Sequence, residues 1–237
     1  VAKIPFVVSD KEEMIGEVDG IIIARDDPEN HLELARPFLG TDIPLFFDKL
    51  LSDQEKESAE ILKCLGPNQR IMTGSGARYS SNVVAAKKAR GLKDVKSVHG
   101  VSRVSWQRYG SHLLDPITEI FGYGITRVRA LSSKSDHDIV QVEYENGLNV
   151  ILECIENTHL PIGFRCFSDT SSAITVLFDD YFNCYLQLMK KFTLMAKHGI
   201  CPIPDEDMLV VNRTLLAGLI SKESGGDWIN LKEVRLR

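Results

Sequence analysis

Two residues in this sequence combine side chains suited to proton transfer with positions where ligands commonly bind. Lys49 directly follows a predicted strand at 43–47, and His112 begins a predicted helix at 111–121. Histidine titrates near neutral pH, and a partly buried lysine can lose its proton more easily than a free one, so either could exchange a proton with a substrate hydroxyl. Taken alone, a lysine after a strand is more often a surface residue, and a lone histidine is more often structural.

The composition is that of an ordinary globular protein and excludes several classes of partner. The 237 residues include 43% hydrophobic and 26% charged residues, with a formal net charge of -5. This charge offers no basic surface to nucleic acid or anionic membrane. No apolar run approaches the roughly 20 residues that a bilayer span needs. We therefore expect neither nucleic acid nor membrane as a partner.

The cysteines and the first residues indicate the compartment. Five cysteines are widely separated and none forms a Cys-x-x-Cys pair, so we expect no disulfide framework and no metal site. The sequence begins Val1-Ala2-Lys3 with neither an initiator methionine nor a signal-peptide core, so we expect further residues upstream and a cytoplasmic location.

The first half of the sequence alternates strands with helices. The run at 20–24 is typical of a strand buried on both faces, and a helix around 31–39 separates it from the strand at 43–47. Strands joined by helices predict a parallel sheet, whose carboxyl ends carry the ligand site. Further helices are predicted at 10–16, 53–65 and 82–89, and further strands at 70–74 and 95–106.

The second half has a different character. Period-two patterns predict strands at 127–131, 139–144, 148–155, 164–167 and 173–178. Asn146-Gly147 predicts a two-residue type I′ hairpin turn between two of them. Helices at 179–197 and 204–221 follow. The sequence thus predicts an antiparallel second sheet, with a domain boundary near residue 66.

Four segments, in order, resemble the Gfo/Idh/MocA family (glucose–fructose oxidoreductase and inositol dehydrogenase). The match depends on their order and spacing across nearly the whole chain, because each motif alone is weak. The segments are the strand Val18–Ala24 followed by His31, the Glu-Lys-Pro-like Phe47–Leu51, the Gly-Ser-His-Leu-Leu-Asp helix start within Trp106–Asp115, and Gly199–Asp207 with Trp228–Leu231.

The resemblance implies an α/β fold of two parts. Residues 1–65 would form the C-terminal part of a Rossmann dinucleotide-binding domain with a parallel sheet. Residues 66–237 would form a substrate-binding and oligomerisation domain with a large open, mostly antiparallel sheet, and the C-terminal segment would return to the first domain. The family's Gly-rich phosphate-binding turn has no counterpart here, since Gly74-Ser75-Gly76 lacks a third glycine, so we expect that turn upstream of Val1.

The resemblance also implies the activity and the residues that carry it. It implies an NAD- or NADP-dependent oxidoreductase that acts on a sugar or polyol and forms a homodimer or homotetramer through the open sheet. Lys49 and His112 would be catalytic. The expected cofactor-binding residues are Ala24, Arg25, His31, Asp48 and Lys49, and the expected substrate-binding residues are Arg78, Tyr79, Trp106, Arg108 and Tyr109.

The sequence departs from the family pattern at three places. Arg108 occupies the position of a common catalytic Asp, Arg25-Asp26-Asp27 replaces Thr-Pro-Asn, and Asp48 and Leu50 flank the lysine in place of Glu and Pro. Arginine cannot act as a base at neutral pH, although it could bind a carboxylate or phosphate. Two alternatives to the enzyme therefore stand: a catalytically inactive sugar- or nucleotide-binding or regulatory protein on the same fold, and an interaction protein that uses the open sheet.

Overall fold

The computed structural model describes residues 4–66, 69–89, 92, 94–134, 136–169 and 174–236. Its strands are β1 Ile21–Ile23, β2 Leu45–Asp48, β3 Ile71–Gly74, β4 Val95–Arg103, β5 Ile125–Lys134, β6 His137–Tyr144, β7 Asn149–Ile155, β8 Gly163–Ser168, β9 Ile174–Leu177 and β10 Ile229–Asn230. Its α-helices are α1 His31–Ala35, α2 Glu55–Leu62, α3 Ser81–Lys88, α4 Trp106–Tyr109, α5 Ser111–Phe121, α6 Tyr181–His198 and α7 Asp205–Glu223.

The first three strands form the predicted parallel sheet, in the order β1-β2-β3. Ile21 pairs with Leu45, and Phe46 pairs with Met72. The sheet extends to residue 74, so it continues beyond the predicted boundary near residue 66. The prediction that β1 is buried on both faces was wrong, because Ile22 is 43% exposed while Ile21 and Ile23 are buried.

The later strands form a seven-stranded sheet in the order β10-β5-β6-β7-β4-β8-β9. Every pair is antiparallel except β4–β7, where Val98 lies opposite Val150 in a parallel register. The prediction of an α/β fold with a parallel sheet and a larger, mostly antiparallel sheet is confirmed. One alternate face of the strands is buried, as at Val150, Leu152 and Cys154 of β7.

The hairpin between β6 and β7 is real, but its predicted turn type is wrong. A type I′ turn needs positive φ at both central residues, whereas Gly147 has a φ of 85° and Asn146 is not among the residues with positive φ. The Gly147 amide donates to the Tyr144 carbonyl, and the Tyr144 amide donates to the Leu148 carbonyl. The loop therefore has three residues and ends on a left-handed glycine.

Two long C-terminal helices join the sheets. Phe192 of α6 packs on Phe46 of β2, with ring centroids 5.9 Å apart, and the Leu51 amide donates to Asn212 Oδ1 of α7 at 3.1 Å. These contacts fix both helices on the parallel sheet, and the Ala130 amide of β5 donates to Ser221 Oγ of α7, which ties the second sheet to the same helix. The predicted helix at 10–16 is only a 3-10 turn at Lys11–Met14, because it has no buried residue to anchor it.

Candidate functional site

Lys49 lies at the carboxyl end of β2, and the backbone there is strained. Its φ is 75°, which a residue with a side chain rarely adopts. The Thr73 hydroxyl of β3 donates to the Lys49 carbonyl and holds this conformation. The lysine side chain is 10% exposed, and its Nζ lies 3.9 Å from an Asp48 oxygen. Holding the Lys49 ammonium at the strand end therefore costs conformational energy.

Asp26, in the loop after β1, connects Lys49 with Arg108. One carboxylate oxygen of Asp26 accepts a hydrogen bond from Lys49 Nζ. The other lies 3.9 Å from Arg108 Nη1, and Arg108 also lies 3.8 Å from Glu29. Asp26 and Arg108 are roughly half exposed, so this ion pair is open to water. Arg108 therefore lies beside the lysine with its charge already balanced by acids of the β1 loop.

Tyr109 lies between Lys49 and His112. Lys49 Nζ is 5.0 Å from the centre of the Tyr109 ring, a cation–π contact, and the rings of Tyr109 and His112 meet edge to face at 4.8 Å. The structure therefore brings together the two residues predicted to be catalytic, across the junction of the two sheets.

His112 is held in one orientation by Ser75. Ser75 Oγ lies 2.6 Å from His112 Nδ1 and also accepts from the Ala77 amide, while the Ser75 amide donates to Asp115 Oδ2 at 2.7 Å. Burial lowers the pKa of His112 to about 3, and the positive charges of Lys49 and Arg103 lower it further in the same direction. The imidazole is therefore neutral throughout the physiological range.

A cavity of about 210 Å³ opens beside His112. This volume is below the roughly 300–1,000 Å³ of pockets for drug-sized ligands, so a single small ring fits it better than a larger molecule. Its wall joins the loop after β3, the end of β4, the helix pair α4–α5 and the first turns of α6. The lining residues are Ser75, Gly76, Ala77, Arg103, Tyr109, His112, Ile162, Phe178, Tyr181, Cys184 and Tyr185.

Arg78, one of the predicted substrate-binding residues, is instead part of a buried cluster outside the cavity wall. Its Nη2 lies 3.3 Å from Asp115 Oδ1 and donates to the Tyr123 hydroxyl at 2.9 Å. Arg78 and Asp115 are only 3% and 2% exposed. Its neighbour Tyr79 packs against the core, and burial raises the pKa of its phenol to about 12.

Trp106 and Arg108 were also predicted to bind substrate, and neither lines the cavity. Arg108 lies beside Lys49, whereas Trp106 is buried against α7. Trp106 is 1% exposed, and its Nε1 donates to the Leu215 carbonyl of α7. It packs so closely on α7 that a Cβ at Gly218 would lie 2.3 Å from the indole nitrogen. Trp106 therefore packs in the core, and among the five residues predicted to bind substrate Tyr109 alone lines the cavity.

The predicted cofactor-binding residues spread over the edge of the parallel sheet. Ala24 is exposed at the end of β1, and Arg25 forms an ion pair with Asp27 at 2.6 Å. His31 is buried, with Nδ1 2.8 Å from the Leu50 carbonyl and Nε2 3.2 Å from the Arg25 carbonyl. His31 thus braces the loops on both sides of Lys49. Asp48 lies next to Lys49, and burial raises the pKa of its carboxyl.

Comparison with known proteins agrees with this arrangement. No protein-family model matches the sequence, and no curated protein matches it significantly. Three solved structures are similar along most of their length. They are a myo-inositol dehydrogenase from Lactobacillus casei in complex with NAD(H) and myo-inositol (11% identity, 95% of this chain and 81% of that chain, TM-score 0.76), GenD2 from gentamicin A biosynthesis in complex with NAD (13%, 94% and 82%, 0.78), and an oxidoreductase from Pseudomonas syringae (12%, 94% and 83%, 0.77).

The chain has the fold of the Gfo/Idh/MocA oxidoreductases. The resemblance carried by the four motifs is confirmed at the level of the fold. Identities of 11–13% establish the fold alone, so the function has to come from the chemistry of the site.

The residues at the strand ends offer polar groups to a ligand at the edge of the parallel sheet. On the Gfo/Idh/MocA fold, the loops after β1, β2 and β3 converge at Asp26, Lys49 and Ser75, which is where open α/β sheets bind ligands. Lys49 supplies a donor, and His112 supplies a neutral ring nitrogen beside it. Within the described residues, no group of three His, Cys, Asp or Glu side chains is arranged to hold a metal ion. None of the described helices is long and apolar enough to cross a bilayer.

Sequence reasoning missed part of the cavity wall on this Gfo/Idh/MocA fold. Ser75 was interpreted as a loop residue, and Arg103 lies inside a predicted strand. Tyr181 and Tyr185 lie in the predicted helix at 179–197, to which no site residue was assigned, and they are 44% and 53% exposed. The available signal was that both tyrosines fall in the first turns of α6, before its apolar side becomes buried at Leu188, Phe192 and Met195.

Proposed function

We propose that this protein is an NAD- or NADP-dependent oxidoreductase that oxidises a secondary alcohol of a sugar, polyol or sugar derivative. The observation that carries the proposal is the meeting of Lys49, Tyr109 and His112 beside a small cavity at the carboxyl ends of parallel strands. Oxidising an alcohol needs a hydride acceptor and a group that takes the hydroxyl proton. When bound, the nicotinamide cofactor supplies the hydride acceptor.

The side chains of this chain supply position and proton transfer. His112 can donate its Nδ1 proton to Ser75 Oγ, which leaves Nε2 free to accept the proton of a substrate hydroxyl. The Lys49 ammonium donates a hydrogen bond to the same hydroxyl oxygen, or to a ribose hydroxyl of the cofactor. Negative charge that develops on the substrate oxygen is stabilised by the ammonium, which already lies at the edge of the site.

The low pKa of His112 sets a condition on this mechanism. An imidazole with a pKa of about 3 accepts a hydrogen bond at neutral pH but is a weak base. Because burial and the charges of Lys49 and Arg103 cause the low value, a bound negative charge would raise the pKa of His112. We therefore expect proton transfer to depend on the charge of the bound ligands.

Turnover and cofactor binding test the proposal separately. The full-length protein should quench or enhance NADH or NADPH fluorescence on titration, and should reduce NAD or NADP with a polyol such as myo-inositol in a panel of sugars. Lys49→Met should lower kcat/KM by about 10²–10⁴-fold, the range for a positioned proton-transfer group. Lys96→Met removes an equivalent charge from an exposed pair with Asp169 and should leave turnover unchanged.

A catalytically inactive binding protein is the second candidate, and one observation favours it. Asp26 already accepts a hydrogen bond from Lys49, and Arg108 lies beside this pair at the position where a second acid would assist catalysis. Cofactor or sugar binding without turnover across the panel would establish this alternative. No binding of either cofactor at millimolar concentration would remove the dehydrogenase.

We also propose that the protein forms a homodimer or homotetramer through the open face of the seven-stranded sheet. Leu131, Phe167 and Leu177 on that sheet are each at least 37% exposed, and apolar patches of this kind commonly mark subunit contacts. Light scattering that reports a monomer would contradict this part of the proposal.

A further inference from the structure

The cavity beside His112 has a marked imbalance of charge. Its lining residues include the cation Arg103 but no aspartate and no glutamate. Lys49, although paired with Asp26, lies close enough for its charge to lower the pKa of His112. The chain as a whole carries a net charge of -5, so this positive cavity runs against the overall balance. A cavity of this kind favours an anionic ligand.

Arg103 has no counter-charge among the described residues. None of their carboxylate oxygens lies within 4.0 Å of its guanidinium, and its Nε is shut off from solvent without an acceptor. Arg78 also has an unpaired buried Nε, but it differs in having a counter-charge, because Asp115 lies 3.3 Å from its terminal nitrogen. Burying part of a guanidinium without a partner is unfavourable, and an anion bound at its terminal nitrogens would offset that cost.

The backbone next to Arg103 is also held in an unusual conformation. Arg103 is the last residue of β4, and the following Val104 has a φ of 63°, which is a costly conformation for a β-branched residue. Lys49, across the cavity edge, has the same kind of backbone. Strained backbone of this kind usually persists where it positions a functional side chain. Here the two strained positions position the two cations, Lys49 and Arg103.

We propose that the substrate carries a carboxylate and that Arg103 binds it, so that the site takes a monosaccharide-sized sugar acid. This inference rests on the proposed function and names the substrate class of the same site. A planar guanidinium matches a carboxylate in geometry and can bind it with two parallel hydrogen bonds. The cavity of about 210 Å³ admits one such ring.

The carboxylate would also prepare His112 for proton transfer. It would neutralise one of the two positive charges that hold down the pKa of the imidazole. A sugar acid therefore gains both affinity and a better base, whereas a neutral sugar of the same size gains neither. The titratable and charged groups around the imidazole are Lys49, Arg103, Tyr109 and, one helical turn on, Asp115.

Matched pairs of ligands test the inference with the full-length protein. Glucuronate is compared with glucose, galacturonate with galactose, and glucose 6-phosphate serves as a second anion. Calorimetry measures binding and cofactor reduction measures turnover, so binding is judged even where no reaction occurs. We expect the sugar acids to bind and react about 100-fold better than their neutral partners, as two charge-assisted hydrogen bonds would provide.

Variants then assign the preference to Arg103. Arg103→Leu should lose about 100-fold in the ratio of acid to neutral substrate, mainly through KM, and Arg103→Lys should recover part of it. Arg165→Leu removes an exposed arginine of β8 that donates to Thr175 of β9 and should leave the ratio unchanged. Thermal unfolding of each variant shows whether it is folded, and Arg103→Gln replaces Arg103→Leu if the latter is not.

The outcomes separate the two proposals. Three outcomes would overturn the sugar-acid inference and leave the dehydrogenase proposal standing. They are equal affinity for acids and neutral sugars, a preference for the phosphate, and an acid-to-neutral substrate ratio that Arg103→Leu does not change. Sugar acids that bind through Arg103 but are never oxidised support the inference and overturn the dehydrogenase.

Discussion

Two charged clusters lie on either side of α5, and they differ in what completes them. In the first, Arg78 is enclosed with Asp115 and Tyr123, and almost none of its surface reaches solvent. In the second, Lys49, Asp26 and Arg108 meet at the edge of a cavity, with two of the three side chains at least 40% exposed. In both clusters the cations are paired with acids, but the first pair is buried and the second lies in the open beside the cavity. We therefore expect the first cluster to serve the fold and the second to serve the site.

The largest expected effect comes from opening the enclosed cluster. Arg78→Leu should lower the free energy of unfolding by about 3–5 kcal/mol, because it leaves the Asp115 carboxylate buried without a partner. Urea denaturation measures this loss, and Arg36→Leu, which removes an exposed pair with Glu60, should change stability by less than about 1 kcal/mol. If Arg78→Leu kept its stability and lost turnover, Arg78 would be a substrate-binding residue and the comparison would fail.

The second prediction concerns acid stability at the open site. The pKa of His112 lies at about 3 in the folded protein against an ordinary value of 6.5, so the unfolded chain binds a proton first as the pH falls. The stability provided by the neutral ring is complete above pH 6.5 and is lost progressively toward pH 3. Between pH 6.5 and pH 5 the loss is about 2 kcal/mol.

His112→Gln isolates this loss. The variant cannot titrate, so its stability should fall less than that of the wild type between these two pH values when both are unfolded in urea. An identical pH dependence in the two proteins would show that the imidazole is more accessible to protons than its position beside Ser75 implies.

The fold was predictable from the sequence to the extent that local pattern determines it. β2, α5 and the hairpin strands β6 and β7 follow from apolar periodicity, and α5 ends at Gly122, where φ is 86°. The turn before β7 was assigned the wrong type because Asn-Gly fits both two-residue and three-residue loops. The extent of the parallel sheet was underestimated because the residues of β2 and β3 do not by themselves show that these two strands pair.

The site was predictable only where a motif marks it. Lys49, Tyr109 and His112 came from motifs and do lie together. Arg103 carries no motif, and Asp26 was noted only as a departure from one, so the importance of both arises from contacts between residues that are far apart in sequence. Burial decides the role of Arg78 and Trp106, and neither residue differs in its local sequence from a ligand-binding arginine or tryptophan.

The third prediction tests whether the open cluster is organised by Asp26. Asp26→Asn should lower kcat/KM about tenfold, since Lys49 loses the carboxylate that orients it. Arg108→Leu removes the weaker, exposed partner of the same carboxylate and should change kcat/KM less than about twofold. Equal effects of the two substitutions would show that Arg108 itself binds a ligand, as the sequence first suggested.

The smallest expected effect comes from the strained backbone next to Arg103. Val104→Gly should raise the free energy of unfolding by about 0.5–1 kcal/mol, because glycine tolerates positive φ. The acid-to-neutral substrate ratio should fall at the same time by about threefold as Arg103 becomes less restrained, an effect of well under 1 kcal/mol. Val101→Gly on the same strand should instead destabilise the protein. A less stable Val104→Gly would contradict the idea that this residue stores strain.

Helix α6 has a consequence for engineering. Its buried half packs on the parallel sheet through Phe192, while its first turns present Tyr181 and Tyr185 to the cavity. The groups that we propose to transfer the proton belong to other segments of the chain. A library confined to those two tyrosines would therefore diversify ligand choice while leaving the reactive machinery and the architectural core untouched, which is a modular division that directed evolution can exploit.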